Sequence, residues 1–234
     1  MKNRTIAVLL VIVGLGSLLG SIAYQAYSAR SIGYLGQQPQ YLPSQQPYPS
    51  GNGGMMGQRT SSSGESVTIQ EAIEEMRNVP SYASVDSSDN TVVFDSQQVS
   101  IFVLALMPDR AANLTGRQMP NYATGDVFVI YGLINPTLLV PRGAYVQFTV
   151  VNLDDDMYHN LVVSSYGPPF GYMPMQGMMS GGWMPYLPPA DYNSSSAQQY
   201  SYMLQFNQPG IFWYICTYPS HAASGMYGRV IVTG

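Results

Sequence analysis

The stretch that decides the fold is residues 211–232, which read IFWYICTYPSHAASGMYGRVIV. An apolar run ends at Cys216, a loop containing proline and glycine follows, and a second apolar run starts at Tyr227. Runs rich in β-branched and aromatic residues, separated by turn residues, are typical of paired strands. The stretch therefore predicts a hairpin-like unit, with strands at Ile211–Cys216 and Tyr227–Thr233.

The loop of this unit spaces three metal-ligating side chains as Cys216-x4-His221-x4-Met226. The chain has one cysteine and two histidines, and the second histidine is His159. Two His and one Cys in a plane, with a weak axial Met, form the ligand set of blue-copper electron-transfer sites. The soft sulfur ligands favour Cu(I), and the imidazoles suit both oxidation states. We expect His159, Cys216, His221 and Met226 to hold one type 1 copper with no position open to a substrate, which predicts an electron carrier rather than an enzyme.

The same small count of ligands excludes other centres. A zinc site made of Cys and His alone needs four ligands, and three exist here. Cysteine-ligated iron–sulfur clusters and an intrachain disulfide need more than one cysteine. Multicopper oxidases, binuclear copper centres and copper nitrite reductases all need more His or Cys. Taken one at a time, each ligand also has a plain structural interpretation, since a buried Cys, His or Met is often only a core residue.

The hairpin and the segment MYHNLVV at 157–163 resemble the copper-binding segments of cupredoxins, in particular those of the sulfocyanins, which are archaeal membrane-associated blue copper proteins. Rusticyanins share the ligand spacing. The resemblance implies a Greek-key β-sandwich with the four ligands named above. It also implies a place in an aerobic respiratory chain, with electrons passed towards a haem–copper terminal oxidase or exchanged with a cytochrome complex.

The resemblance further implies a support for the ligands. In many cupredoxins an Asn after the first His ties its strand to the residue after the Cys, and Asn160 and Thr217 occupy those positions. Rusticyanins have Ser at the first of these positions, so Asn160 favours the sulfocyanin comparison.

The amino-terminal residues 1–29 predict a membrane anchor. Lys2 and Arg4 precede Ile6–Ala23, an uncharged stretch of 18 residues. As a helix this stretch measures about 27 Å, close to the hydrocarbon thickness of about 30 Å. Cationic residues before the span predict a single-pass protein whose remainder lies on the extracytoplasmic face of the cell membrane. A cleaved signal peptide is the alternative, although its apolar region is usually shorter, at about 7–15 residues.

Residues 30–66 are rich in Gln, Pro, Ser and Gly, and predict a flexible linker. The linker is interpreted as a tether that keeps the domain near a membrane partner, or as a spacer through a cell-wall layer. Residues 67–234 are the expected cupredoxin domain.

An all-β, antiparallel sandwich preceded by one short helix is predicted for that domain. Thr68 and Glu71 have the spacing of a capping box, which predicts a helix over 69–78. The remaining pattern is one of short apolar runs between turn residues. Besides the hairpin, the predicted strands are Thr91–Asp95, Val99–Met107, Asp126–Leu133, Ala144–Asn152, Asn160–Ser164 and Tyr200–Phe206.

Charged residues are only 9% of the chain, against about 25% in ordinary soluble proteins. The net charge is −4 and Lys2 is the only lysine, so nucleic acid is excluded as a partner. Acid unfolds proteins largely by protonating carboxylates that form ion pairs or hydrogen bonds in the folded state. This chain can form few such interactions, which predicts an acid-stable protein from the external compartment of an acidophile. A water-poor aromatic shell around the hairpin predicts a high reduction potential; its members are Phe212, Trp213, Tyr214, Tyr218 and Tyr227. Asp154, Asp155 and Asp156 are interpreted as a solvated turn rather than as a partner-steering cluster.

The segment 171–189 contains five methionines and no charge. Soft apolar filler over the sandwich is the favoured interpretation. A docking surface beside the copper and a Cu(I)-loading site are the two alternatives. At the level of function, an extracytoplasmic copper carrier or chaperone is the alternative to an electron carrier, and a cupredoxin-fold module without metal is a third possibility.

Overall fold

The computed structural model describes residues 64–174 and 183–234. The chain divides into two units, Met1–Gly57 and Gln58–Gly234, and every described residue belongs to the second. The predicted anchor, nearly all of the predicted linker and the centre of the methionine-rich segment lie outside the described residues. Among the residues that are described, no helix is long and apolar enough to cross a bilayer.

Two six-stranded sheets face each other and enclose the main core. Two short helices accompany them, α1 (Ile69–Arg77) and α2 (Pro108–Thr115). The strands are β1 (Glu65–Thr68), β2 (Ala83–Asp86), β3 (Thr91–Phe94), β4 (Gln98–Leu106), β5 (Val127–Ile130), β6 (Leu133–Ile134), β7 (Thr137–Pro141), β8 (Tyr145–Asn152), β9 (Val162–Ser164), β10 (Ser196–Gln205), β11 (Gly210–Ile215) and β12 (Tyr227–Thr233).

The sheet order corrects the prediction of an antiparallel sandwich. One sheet has the order β1-β10-β8-β4-β5-β6 and the other β2-β3-β7-β12-β11-β9. The β4–β8, β3–β7 and β7–β12 pairs are parallel. Parallel partners cannot be joined by a tight turn, so these pairs connect strands that are distant in sequence. Local alternation of apolar residues carries no information about the direction of such a distant partner.

The amino-terminal part of the domain was predicted closely. The helix starts at the expected capping box, where Oγ1 of Thr68 accepts the Glu71 N–H at 3.2 Å and Oε2 of Glu71 accepts the Thr68 N–H at 3.1 Å. Ala72 and Met76 of α1 are buried in a second apolar cluster on the outer face of the β4–β5 sheet. The fold begins earlier than expected, because β1 starts at Glu65, inside the segment predicted as linker to residue 66.

The pairing of β11 with β12 forms the hairpin on which three of the predicted ligands lie. Tyr214 is fully buried and pairs with Gly228 of β12. A Cβ on Gly228 would lie 2.1 Å from the Tyr214 hydroxyl oxygen, so only glycine leaves room for this ring. The same hydroxyl donates to the carbonyl of Pro136 at 2.6 Å. The ends of β11 and β12 are thereby held together next to Cys216 and Met226.

Candidate metal centre

Three separate segments deliver the predicted ligands to one point. His159 lies between β8 and β9, where it bridges Leu187 through main-chain hydrogen bonds of 3.2 and 2.7 Å. Cys216 directly follows β11, and His221 and Met226 lie in the loop that leads into β12.

Two imidazoles and the thiol form a compact triangle. Nδ1 of His159 lies 3.1 Å from Nδ1 of His221, and Sγ of Cys216 lies 3.8 and 3.6 Å from these two nitrogens. The point in their plane that is equidistant from all three atoms lies about 2.0 Å from each, within the range of about 2.0–2.3 Å at which protein N and S ligate metal ions. The three side chains therefore fit a single ion without rearrangement. His159 and Cys216 are fully buried, and His221 is 7% exposed.

Met226 is fully buried in the same core cluster as Cys216. Its N–H donates to the carbonyl of His221 at 2.9 Å, and its carbonyl accepts the N–H of Cys216 at 3.1 Å. The loop is thus closed on itself between the Cys and the Met. The structure brings all four predicted ligands to one end of the sandwich.

Asn160 and Thr217 tie the two ligand-bearing segments together, in the positions expected from the resemblance. Oδ1 of Asn160 accepts the Thr217 N–H at 2.8 Å, and Nδ2 of Asn160 donates to Thr217 Oγ1, also at 2.8 Å. Both residues are buried. The residue after His159 is therefore locked to the residue after Cys216, which limits how far these ligands can move apart.

Comparison with known proteins agrees with this geometry. The sequence model of the family described as copper binding proteins, plastocyanin/azurin family, matches residues 135–233, a span that includes all four predicted ligands. The segment that carries the four predicted ligands is therefore similar to copper-binding cupredoxins.

The curated relatives of this chain include two rusticyanins. The chain is 29% identical over 148 residues to the rusticyanin of Acidithiobacillus ferrooxidans, a match that covers 62% of this chain and 83% of the relative. It is 28% identical over 145 residues to the rusticyanin of Acidithiobacillus ferridurans, covering 62% and 68% of the two chains.

Solved rusticyanins share the fold. A structure of rusticyanin from Thiobacillus ferrooxidans aligns with a TM-score of 0.56 and 22% identity over 74% of this chain and 99% of that one. A structure of reduced rusticyanin aligns with a TM-score of 0.56 and 22% identity over 73% and 100% of the two chains.

One residue beside the site was misjudged from sequence. Asp154 was predicted to lie in a solvated turn, but its side chain is fully buried and its Oδ2 lies 3.1 Å from Nε2 of His159. Asp155 and Asp156 are exposed, as a solvated turn requires. The only available signal was the spacing of five residues between Asp154 and His159, and spacing alone does not show which member of an acidic run turns inward.

The two imidazoles have pKa values that move in opposite directions. Burial lowers the pKa of His159, but its hydrogen bond to Asp154 and its proximity to Cys216 and Asp126 outweigh this and raise the pKa from 6.5 to about 9. Burial and the charge on His159 lower the pKa of His221 from 6.5 to about 4. Two positively charged imidazoles at this distance would repel each other, so the charged form is favoured at His159, the ring beside the Asp154 carboxylate, and disfavoured at His221.

Aromatic side chains surround His221 on the outer side of the site. The Tyr218 ring lies 4.8 Å from the His221 ring, and Tyr158 and Tyr186 lie 6.4 and 5.5 Å from Tyr218. The Tyr186 hydroxyl donates to the carbonyl of Thr217 at 3.1 Å. Of the shell predicted from sequence, Tyr218 thus contacts a ligand, whereas Tyr214 lies deeper between the sheets.

The described ends of the methionine-rich segment behave differently from each other. Met184 is fully buried in the main core, and its Sδ accepts the N–H of Leu161 at 3.2 Å. Met173 and Trp183 are exposed. The interpretation as core filler is confirmed for Met184, and the docking hypothesis now concerns the exposed residues only.

Proposed function

We propose that this protein is a membrane-tethered carrier of single electrons that holds one type 1 copper on His159, Cys216, His221 and Met226. The observation that carries the proposal is the buried Nδ1–Sγ–Nδ1 triangle with sides of 3.1–3.8 Å. Such a site takes its ligands from the protein alone and leaves no position for a substrate. The Asn160–Thr217 lock keeps the ligand geometry nearly the same in both oxidation states, which favours rapid electron transfer.

His221 is the proposed route of electrons to and from the copper. It is the only one of the two histidines and the cysteine with any exposed surface. The Tyr218 ring packs against it on the outer side, at 4.8 Å between ring centres. A partner docked over this end of the sandwich would approach the copper through His221 more closely than through His159 or Cys216.

The partner is proposed to be a respiratory redox protein of the same membrane, either a haem–copper terminal oxidase or a cytochrome complex. The support is the resemblance to sulfocyanins, which Asn160 favours, together with the apolar stretch Ile6–Ala23. A single span there would hold the copper domain on the extracytoplasmic face of the cell membrane.

Redox titration of the purified full chain in detergent tests the copper assignment. We expect an intense blue colour in the oxidised state and reversible one-electron reduction, because a Cys thiolate is a copper ligand. Cys216→Ser is the control and should abolish both. Copper that is colourless and readily exchanged in the wild-type protein would contradict electron transfer and would favour a copper carrier or chaperone.

Membrane fractionation and electron delivery test the rest of the proposal. The full chain should sediment with membranes, whereas a chain that lacks residues 1–29 should remain in the soluble fraction. Reduced protein should be reoxidised by membranes that contain a haem–copper oxidase, and cyanide should stop this reaction. A full chain found only in the soluble fraction would refute the tether, and cyanide-insensitive reoxidation would refute the oxidase.

A further inference from the structure

A carboxylate lies behind the copper site, on the side away from His221. The side chain of Asp154 is fully buried, and its Oδ2 is 3.1 Å from Nε2 of His159. Its other oxygen, Oδ1, accepts the N–H groups of Asp156 at 3.0 Å and Met157 at 3.2 Å. Among the described residues no lysine or arginine forms an ion pair with Asp154. The charged groups that interact with its carboxylate include His159, Asp156 and Asp126.

We propose that Asp154 is a positioning residue for His159 and that its buried negative charge stabilises Cu(II) relative to Cu(I). The inference rests on the proposed role as a redox copper protein. The sequence predicted that Asp154 is exposed to solvent. The inference instead gives Asp154 control over the orientation of His159 and over the reduction potential of the copper.

The two ring nitrogens of His159 face different groups and have different roles. Nδ1 faces Cys216 and His221, and Nε2 faces Asp154. A carboxylate at Nε2 requires the proton on that nitrogen, which leaves the Nδ1 lone pair free for a metal ion. Carboxylate–histidine–metal arrangements of this kind select the tautomer, orient the ring and increase its basicity as a ligand.

The loop that carries Asp154 is held from several directions. Asn152 accepts the Asp154 N–H at 3.0 Å and donates to the carbonyls of Met157, Leu187 and Pro188 at 2.9–3.1 Å. The Ala190 N–H donates to the carbonyl of Asp154 at 2.7 Å. The carboxylate is therefore fixed in place rather than swinging between the site and solvent.

The outer side of the same loop is anchored to α2. Arg110 pairs with Asp155, and its guanidinium lies 3.8 Å above the Tyr192 ring. The Tyr192 hydroxyl in turn donates to the carbonyl of Leu153 at 2.8 Å. These contacts close the loop over Asp154 and keep water from its carboxylate.

The charge of Asp154 acts on the copper because both are buried. A buried charge is screened little by water or salt, so its interaction with a nearby ion is far stronger than that of an exposed charge at equal distance. A negative charge favours the more positive oxidation state. Asp126 is a second carboxylate beside the site, with its Oδ2 3.8 Å from Nδ1 of His221 and 3.9 Å from Nε2 of His159 and its side chain 17% exposed. Its charge adds to that of Asp154 and is the same in all the variants compared below.

The test compares Asp154→Asn with Asp95→Asn in the full chain, both loaded with copper at one pH. Asn keeps an oxygen that can accept from Nε2 but removes the charge. We expect D154N to remain blue, to shift the equilibrium towards Cu(I) by about tenfold, or about 59 mV, and to bind Cu(II) about 10–100-fold more weakly. D95N makes the same charge change at an exposed carboxylate that follows β3, and should shift the equilibrium less than about twofold.

A second measurement addresses orientation independently of charge. In the Cu(I) protein, the Nε2 proton of His159 should give an NMR signal protected from solvent exchange, and Asp154→Ala should remove that protection. Equal potentials for D154N and D95N, or an unprotected Nε2 proton in the wild-type protein, would overturn the inference. Those results leave the electron-carrier proposal standing, whereas a wild-type protein that cannot be reversibly reduced would refute the electron-carrier proposal itself.

Discussion

His159 and His221 are both buried residues, but their electrostatic surroundings are opposite. His159 faces the buried carboxylate of Asp154, and its pKa is raised to about 9. His221 faces His159 instead, and its pKa is lowered to about 4. Copper binding needs a free Nδ1 on each ring, so copper must displace a proton from His159 below about pH 9 and a second proton from His221 below about pH 4. The two imidazole ligands therefore meet proton competition in different pH ranges.

The stability of the copper-free protein should therefore depend on pH through His221. A lowered histidine pKa contributes stability above the unfolded value of 6.5, and that stability is lost as the pH falls towards 4. Between pH 6.5 and 4.5, protonation of His221 in the unfolded chain should lower the free energy of unfolding by about 2 kcal/mol. The raised pKa of His159 gives stability that is complete below pH 6.5 and is lost as the pH rises through 9, so it adds no loss in this window.

Denaturant titrations of the copper-free wild type and of His221→Gln at these two pH values provide the measurement. The variant has no histidine at 221 to protonate on unfolding, so its stability should change little over the same interval. Equal losses of stability in the two proteins would show that His221 is not the group responsible.

The Asn160–Thr217 contact should contribute to stability independently of copper. Asn160→Ala leaves the buried N–H of Thr217 without its partner, and a buried unpaired donor costs about 1–3 kcal/mol. Unfolding of the copper-free protein should show this loss. Asn207→Ala, at an exposed position, is the matched control and should change stability by less than about 0.5 kcal/mol.

At the scale of elements, the loop between Cys216 and Met226 is shaped by its contacts with a neighbouring segment. The N–H of Thr124 donates to the carbonyl of Ser224 at 2.8 Å. Nδ2 of Asn135 donates to the carbonyl of Gly225 at 2.9 Å, while its Oδ1 accepts the Phe128 N–H at 2.9 Å. The ligand loop is thus attached to the β4–β5 sheet as well as to its own hairpin.

Gly225 permits this attachment. Its φ is +102°, and a Cβ there would lie 2.4 Å from the Ala123 Cα. Gly225→Ala should displace the loop next to Met226, lower stability by about 2 kcal/mol or more and weaken the blue colour. Gly171→Ala, where a Cβ would meet no atom within 4 Å, should leave both unchanged. A variant at 225 with normal stability and spectrum would show that the loop tolerates a side chain there.

The methionine-rich segment contains both core and surface residues. Met184→Ala removes a fully buried side chain and should destabilise the protein by about 2–5 kcal/mol. Met173→Ala, at a position 54% exposed, should change stability by less than about 0.5 kcal/mol. Thermal or denaturant unfolding separates these outcomes. A truncation designed to test docking must retain Met184, because its loss would unfold the core and obscure any effect on partner binding.

At the scale of the whole molecule, the sandwich is extended by the β1–α1 segment. Strand β1 pairs with β10 at the edge of one sheet, and Ala72 and Met76 cover apolar residues of β4, β5 and β8. This extension covers the outer face of the sheet that contains β4, β5 and β8. The candidate copper site lies in the main core between the two sheets, in the same apolar cluster as Cys216 and Met226.

Chains that begin at different residues test this organisation. A chain that starts at Gly64 should fold and bind copper like the full chain, since β1 and α1 are intact. A chain that starts at Val79 exposes the apolar face under α1 and should lose about 3 kcal/mol or more of stability. Equal unfolding free energies for the two chains would show that the extension contributes nothing to the domain.

The sequence by itself determined which histidines and which cysteine could serve as metal ligands, because the chain offers only one cysteine and two histidines. It also located α1 and most of the strands, since capping and alternation are local properties. Only the tertiary structure decided the direction of the parallel pairs, the burial of Met184 and the contact of Asp154 with His159. Burial of a polar side chain depends on which distant segments cover it, here those around Tyr192 and Ala190, and no local pattern at residues 154–156 encodes that cover.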